Sequence, residues 1–273
     1  MKRSTLWLLG LLTFVCCGLR VYQLCVLTEP DAGFLSRFDW SSMVLCILLP
    51  LGLAALLVDS QRNRRLSGAP LEDVNLTGIG VSSLLLALSI VLDAVIDLVK
   101  LPLGTSGHDP YLTTWWIIVD GLGLLTAVFF ICQASRCFRS DTLRMHPLFA
   151  LLPAVWLAVR ALISYLDARV VVTAPAKLLE IMTMVCVAVF FIVTARLLGD
   201  VDNRKGQRMA LSMVPVSIVM IGVTVLPAVI GFFCRGAAVS PVSFSTVVVA
   251  MMLPYVWQIG ECAGRSVPEG DAE

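Results

Sequence analysis

The chain is dominated by eight apolar runs, at about 5–27, 41–58, 78–99, 114–135, 147–166, 177–198, 209–233 and 241–260. A helix rising 1.5 Å per residue needs roughly 20 such residues to cross the hydrocarbon of a bilayer. Each run is long enough. The connections between them carry the turn formers and the charges, as in SQRNRRLSGAPLEDVN after the second run and GDVDNRKGQR after the sixth. The reading is an all-α, polytopic transmembrane helical bundle of about eight spans, forming one integral membrane domain over 1–262. A short cytoplasmic tail, 263–273, would follow it.

Composition supports this. The 273 residues are 58% hydrophobic and 14% charged, with a mean hydropathy of +0.90, whereas soluble domains run near about 45–50% and about 25%. Disorder is excluded by the same figures, since it requires low hydrophobicity and high charge. Short loops leave no room for a sizeable soluble domain. A net charge of +1 gives no global field for nucleic acid or acidic substrates.

The placement of the basic residues sets the expected orientation. One side collects Lys2, Arg3, Arg62, Arg64, Arg65, Arg136, Arg139, Arg144, Arg196, Arg204, Lys205, Arg208 and Arg265, thirteen in all. The other collects five: Arg37, Lys100, Arg169, Lys177 and Arg235. The bias alternates loop by loop, which places both termini in the cytoplasm of a multi-pass protein of the cell membrane. The first span follows Lys2 and Arg3 like a signal peptide but lacks a small-residue cleavage site, so it reads as an uncleaved helix. The nine cysteines include no C-x-x-C pair and read mainly as small core residues, with Cys25 and Cys234 near enough to one face to be candidates for a disulfide.

A second pattern is an internal repeat. VLDAVID at Val91–Asp97 and VLPAVIG at Val225–Gly231 are 134 residues apart, and half that offset lands on VRALI at Val159–Ile163. AVFFI recurs at Ala127 and Ala188. This points to four helical-hairpin repeats, as in transporters built from parallel repeats. Chance matching within an apolar alphabet is the competing explanation.

Six ionisable residues lie inside the spans: Arg20, Asp93, Asp97, Asp120, Arg160 and Glu180. Each costs roughly 2.5–3.5 kcal/mol even on lenient insertion scales unless it finds a partner or water. Counted inward from the outer ends, Asp97 and Glu180 lie about 5 Å deep, Asp93, Asp120 and Arg160 about 10 Å, and Arg20 about 12 Å. Shared depth predicts one polar cluster. Helical spacing agrees: Asp93 and Asp97 continue the face of Ser82 and Ser89, Arg160 aligns with Ser164 and Asp167, and Arg20 with Cys16 and Gln23. Trp115 and Trp116, just outside Asp120, suit either an aromatic belt or a lid over the cluster. Pro50, Pro227 and Pro254 each free a carbonyl inside a span, while Gln258 and Glu261 fall at the cytoplasmic end.

Four acids against two arginines leave a negative excess, to be neutralised by protonation or by a bound cation. The expected function is therefore a transporter or ligand-binding membrane subunit, with Asp93, Asp97, Asp120 and Glu180 accepting a proton, cation or small cationic ligand and Arg20 and Arg160 as charge partners. The rival is a membrane scaffold or partner subunit whose Asp–Arg network is structural. A third alternative is an aspartyl-type intramembrane hydrolase using Asp93 and Asp120, although Asp120-Gly-Leu-Gly123 puts the acid first rather than last. No cofactor is expected. His108 and His146 lie in loops, against bis-histidine haem or a Ser–His dyad. H-E-x-x-H and phosphate-loop signatures are absent, and the four lysines all lie at helix ends or in loops, against a retinal Schiff base.

Overall fold

The computed structural model describes residues 3–27, 40–62, 76–100, 110–139, 145–167, 175–199, 203–235 and 244–264. All described elements are helical. They are α1 (Arg3–Tyr22), continued by a π-turn over Gln23–Leu27, α2 (Trp40–Arg62), α3 (Leu76–Lys100) and α4 (Thr113–Arg139). After them come the single-turn α5 (Pro147–Ala150), α6 (Leu152–Asp167), α7 (Pro175–Leu198), α8 (Asn203–Arg235) and α9 (Phe244–Gly264). Eight spans are long and apolar enough to cross a membrane, α5 and α6 together making one. The multi-pass all-α bundle follows from this.

Several boundaries differ from the sequence reading by a few residues, α2 for instance running on to Arg62. The last turns of α4 extend to Arg139 and α8 begins at Asn203, because helices of a bundle continue past the hydrocarbon when polar residues at their ends keep the backbone wet. The ninth helix runs to Gly264, so the described helix overlaps the start of the expected tail. Residues 265–273 lie outside the described residues. The prolines Pro50, Pro227 and Pro254 are inside helices, and Pro215 is a fourth.

The helices divide into two groups. Six of them, α3, α4, α6, α7, α8 and α9, pack each against the next, and α9 returns to α3, closing a ring. Against α8, outside that ring, lie α1 and α2, with their own apolar contacts around Leu12, Cys16, Leu49, Leu56, Met220 and Val223. Close approach at helix crossings uses small residues: an added Cβ at Gly260 of α9 would stand 2.7 Å from Val214 Cγ1 of α8.

Aromatic side chains fill the ring's middle. Phe130 of α4 packs edge-on against Phe191 of α7 and Tyr255 of α9, with centroids 5.8 and 5.4 Å away. Tyr255 stacks on Phe191 at 5.7 Å. The Tyr255 hydroxyl donates to Gln133 Oε1 and accepts from Gln133 Nε2, both at 3.1 Å. These helices do not neighbour one another in the ring, so their side chains plug its centre.

Candidate functional site

The end of the ring away from Arg139 of α4 and Gly264 of α9, here called the distal end, gathers most of the intramembrane charge. On α3 the predicted face is buried at Ser82, Ser89 and Asp93, with Asp97 half-buried one turn on. The two serines donate to their own helix, to the carbonyls of Ile79 and Leu86, which leaves Asp93 to look outward. On α6 the stripe of Arg160, Ser164 and Asp167 turns inward as its spacing requires.

Arg160 and Asp93 meet directly. The guanidinium Nη1 lies 2.6 Å from Asp93 Oδ2, with both side chains buried. One turn deeper on α6, Trp156 places its ring under the guanidinium, 5.5 Å from Cζ to the centroid. That indole is pressed against α4 at Gly123, where an added Cβ would be 3.0 Å from its Nε1. A side chain larger than hydrogen at 123 would displace the tryptophan.

One turn above Gly123, Asp120 is 2% exposed. Among the described residues its Oδ2 has no hydrogen-bond partner, nor has Trp156 Nε1. Asp120 interacts electrostatically with Asp97, Arg160 and Asp93, and Arg160 with Asp93, Glu180 and Asp97. Glu180 of α7 completes the group nearer the rim. Its Oε2 lies 3.3 Å from Lys177 Nζ, and Ser245 of α9 donates to its Oε1 at 3.2 Å.

Five of the six intramembrane charges, Asp93, Asp97, Asp120, Arg160 and Glu180, are thus brought into one electrostatic group spread over four helices. Arg20 is not among them. It is buried on α1, outside the ring, and its Nη1 donates to Gln23 Oε1 at 2.8 Å. Depth alone grouped it with the acids, and depth says nothing about lateral position. The cluster therefore carries four acids against one arginine, with Lys177 at the edge.

Several residues sort differently from expectation. Trp115 is exposed, as a belt residue is, but Trp116 is buried and donates from Nε1 to Asp167 Oδ2 at 3.2 Å. Trp116 therefore caps the distal end of α6 rather than facing lipid. Cys25 and Cys234 are not joined in a disulfide. Gln258 buries its Oε1, while Glu261 accepts from the exposed Trp257 at 3.0 Å. Asp93, the residue Asp120 would need for an aspartyl dyad, is ion-paired to Arg160. Trp156 and Ser245 were not anticipated; the i−4 spacing of Trp156 from Arg160 was the available signal for the first.

Chemically, the group can hold positive charge. A single arginine cannot neutralise four carboxylates, and Asp120 stands behind the ion pair in a closed, low-dielectric setting. Among the described residues no three His, Cys, Asp or Glu are arranged to hold a metal ion. Phe130 lies about 15 Å further along α4 than Asp120, so the aromatic plug closes the ring on the terminal side of the acids. Comparison with protein-family models, curated proteins and solved structures finds no match for the chain.

Proposed function

We propose that this multi-pass membrane protein takes up a proton or small cation into the acid cluster at the distal mouth of its six-helix ring, as a transporter or a ligand-binding membrane subunit. The observation that carries the reading is Asp120: a carboxyl group at membrane depth, 2% exposed, with Oδ2 unpartnered beside an Asp93 that is ion-paired to Arg160. A naked carboxylate there is too costly to persist. It carries a proton or faces a cation, and both are exchangeable species.

The loop-charge asymmetry turns the distal end outward, to the extracytoplasmic side, and the aromatic plug makes the cluster a half-path sealed from the cytoplasm. Opening requires Phe130, Phe191 and Tyr255 to part. The test is reconstitution into liposomes containing a pH-sensitive dye, with an imposed proton or cation gradient. Wild-type protein collapses the gradient and Asp120→Asn does not; equal fluxes through both proteins sink the proposal.

A second reading rests on the 2.6 Å contact itself. A direct, buried Asp93–Arg160 pair staples α3 to α6 across the ring, as a scaffold or partner subunit would need. That reading expects substitutions in the cluster to alter stability and assembly while leaving every flux and ligand response unchanged.

A further inference from the structure

Trp156 of α6 and Asp120 of α4 bring two unengaged polar atoms to one place in the ring. Both residues are 2% exposed. Among the described residues neither Trp156 Nε1 nor Asp120 Oδ2 has a hydrogen-bond partner, so they do not bond to each other. Yet they are close. Nε1 stands 3.0 Å from where a Cβ at Gly123 would be, and Asp120 precedes Gly123 by three residues, which sets the two Cβ positions on one helix face about 5–6 Å apart. A single water making two hydrogen bonds of about 2.8 Å spans such a gap. Ile90 Cγ2 of α3 lies 3.6 Å from the same Cβ position, so the space beside Nε1 is narrow.

The two atoms are chemically opposite. An indole nitrogen only donates and an ionised carboxylate only accepts, so whatever lies between them must accept from one and donate to the other. Water does both. A sodium or potassium ion offers the N–H no lone pair and sets its charge against the positive edge of the indole, and an ammonium group has donors alone. The face of the ring, which is the surface that attracts an organic cation, is taken by Arg160, whose Cζ lies 5.5 Å from the centroid.

We infer that the species exchanged at Asp120 is a proton, passed to its carboxylate by a water held between Asp120 and Trp156, and that metal and organic cations are excluded there. This rests on the proposed uptake at the acid cluster and names its substrate. The other groups acting on Asp120 are Asp93 and Asp97 of α3 and Arg160 of α6, and Asp97, half-buried one turn nearer the rim, lies on the supply side. In the transfer the water gives one proton to Asp120 Oδ2 and receives another from the rim, so it remains water while the carboxylate becomes a carboxylic acid. The new O–H then donates to the water's second lone pair. Trp156 keeps donating to the first and is unchanged, so one water satisfies both residues in both states.

The experiment is infrared difference spectroscopy of the full chain in liposomes as the pH is lowered, with sodium, potassium or tetramethylammonium chloride added in turn, alongside dye-reported flux under a gradient of each ion. Trp156→Phe keeps a ring under Arg160 and removes the N–H. Wild-type protein shows the carbonyl stretch of a protonated carboxyl that is missing from Asp120→Asn, and in Trp156→Phe this band moves to higher frequency as the bridging water is lost. None of the added cations removes the band. Proton flux through Trp156→Phe falls at least about tenfold, the loss expected for one positioned donor. Flux of an added cation, or a band that such a cation abolishes, overturns the inference and leaves uptake at the cluster standing. Absence of both the Asp120 band and any flux overturns the two together. A Trp156→Phe band identical to that of wild type overturns the water bridge, and the wild-type spectrum alone decides whether Asp120 takes up a proton.

Discussion

Arg160 Nη1 of α6 lies 2.6 Å from Asp93 Oδ2 of α3, while Asp97 and Glu180 also act on the same guanidinium. The pair is therefore asymmetric in its support. Arg160 has substitutes for Asp93, but Asp93 has no second arginine.

That asymmetry sets the first prediction. Arg160→Gln leaves the buried acids with no cation among them and costs about 3–5 kcal/mol, the loss typical of breaking a buried pair from one side. Asp93→Asn costs less, because Asp97 and Glu180 remain to balance the guanidinium. Thermal unfolding of both variants in the same lipid nanodiscs measures the difference. Equal losses would mean that Arg160 answers to Asp93 alone.

Asp120 behaves differently again. Its Oδ2 has no partner to lose, so Asp120→Asn changes stability by less than about 1 kcal/mol while abolishing gradient collapse in liposomes. Stability and flux are separable here and nowhere else in the cluster. A melting temperature that falls as far as that of Arg160→Gln identifies Asp120 as structural.

The contact of Gly260 with α8 is closer than any side chain permits. An added methyl would sit 2.7 Å from Val214 Cγ1, and a β-branched valine has little rotamer freedom with which to yield. Gly260→Ala therefore costs about 1–3 kcal/mol by overpacking. Gly260→Ala combined with Val214→Ala recovers most of that loss, and denaturation of the single and double variants reads the recovery directly.

What the sequence made legible was whatever depends on one helix at a time. The spans follow from run length, and the inward faces of Ser89 with Asp93 and of Arg160 with Ser164 follow from helical periodicity. Lateral order does not. Arg20 shares the depth of the acids yet sits on a helix packed outside the ring, because depth is one coordinate and neighbourhood requires knowing which helices touch. Trp116 illustrates the same limit. Its neighbour Trp115 differs from it by about 100° around the helix, so one faces lipid and the other reaches Asp167, a choice only the packing of α4 on α6 decides. The plug was equally hidden, since Phe130, Phe191 and Tyr255 meet across a ring whose closure no local pattern records.

That plug gives the last prediction. Tyr255 and Gln133 exchange hydrogen bonds at 3.1 Å in an apolar centre, and Tyr255 is also held between Phe130 and Phe191. Tyr255→Phe keeps the ring filled but strands the Gln133 amide, costing about 1–3 kcal/mol. Adding Gln133→Leu to it restores stability, since both polar partners are then gone. Tyr255→Ala does something neither of these does: it removes the side chain on which α4, α7 and α9 converge. If the aromatics are what separates the acid cluster from the terminal face, liposomes bearing Tyr255→Ala leak protons without any closing of the leak by a reversed gradient, whereas Tyr255→Phe liposomes stay tight. A tight Tyr255→Ala protein places the barrier elsewhere, and the plug is then packing alone.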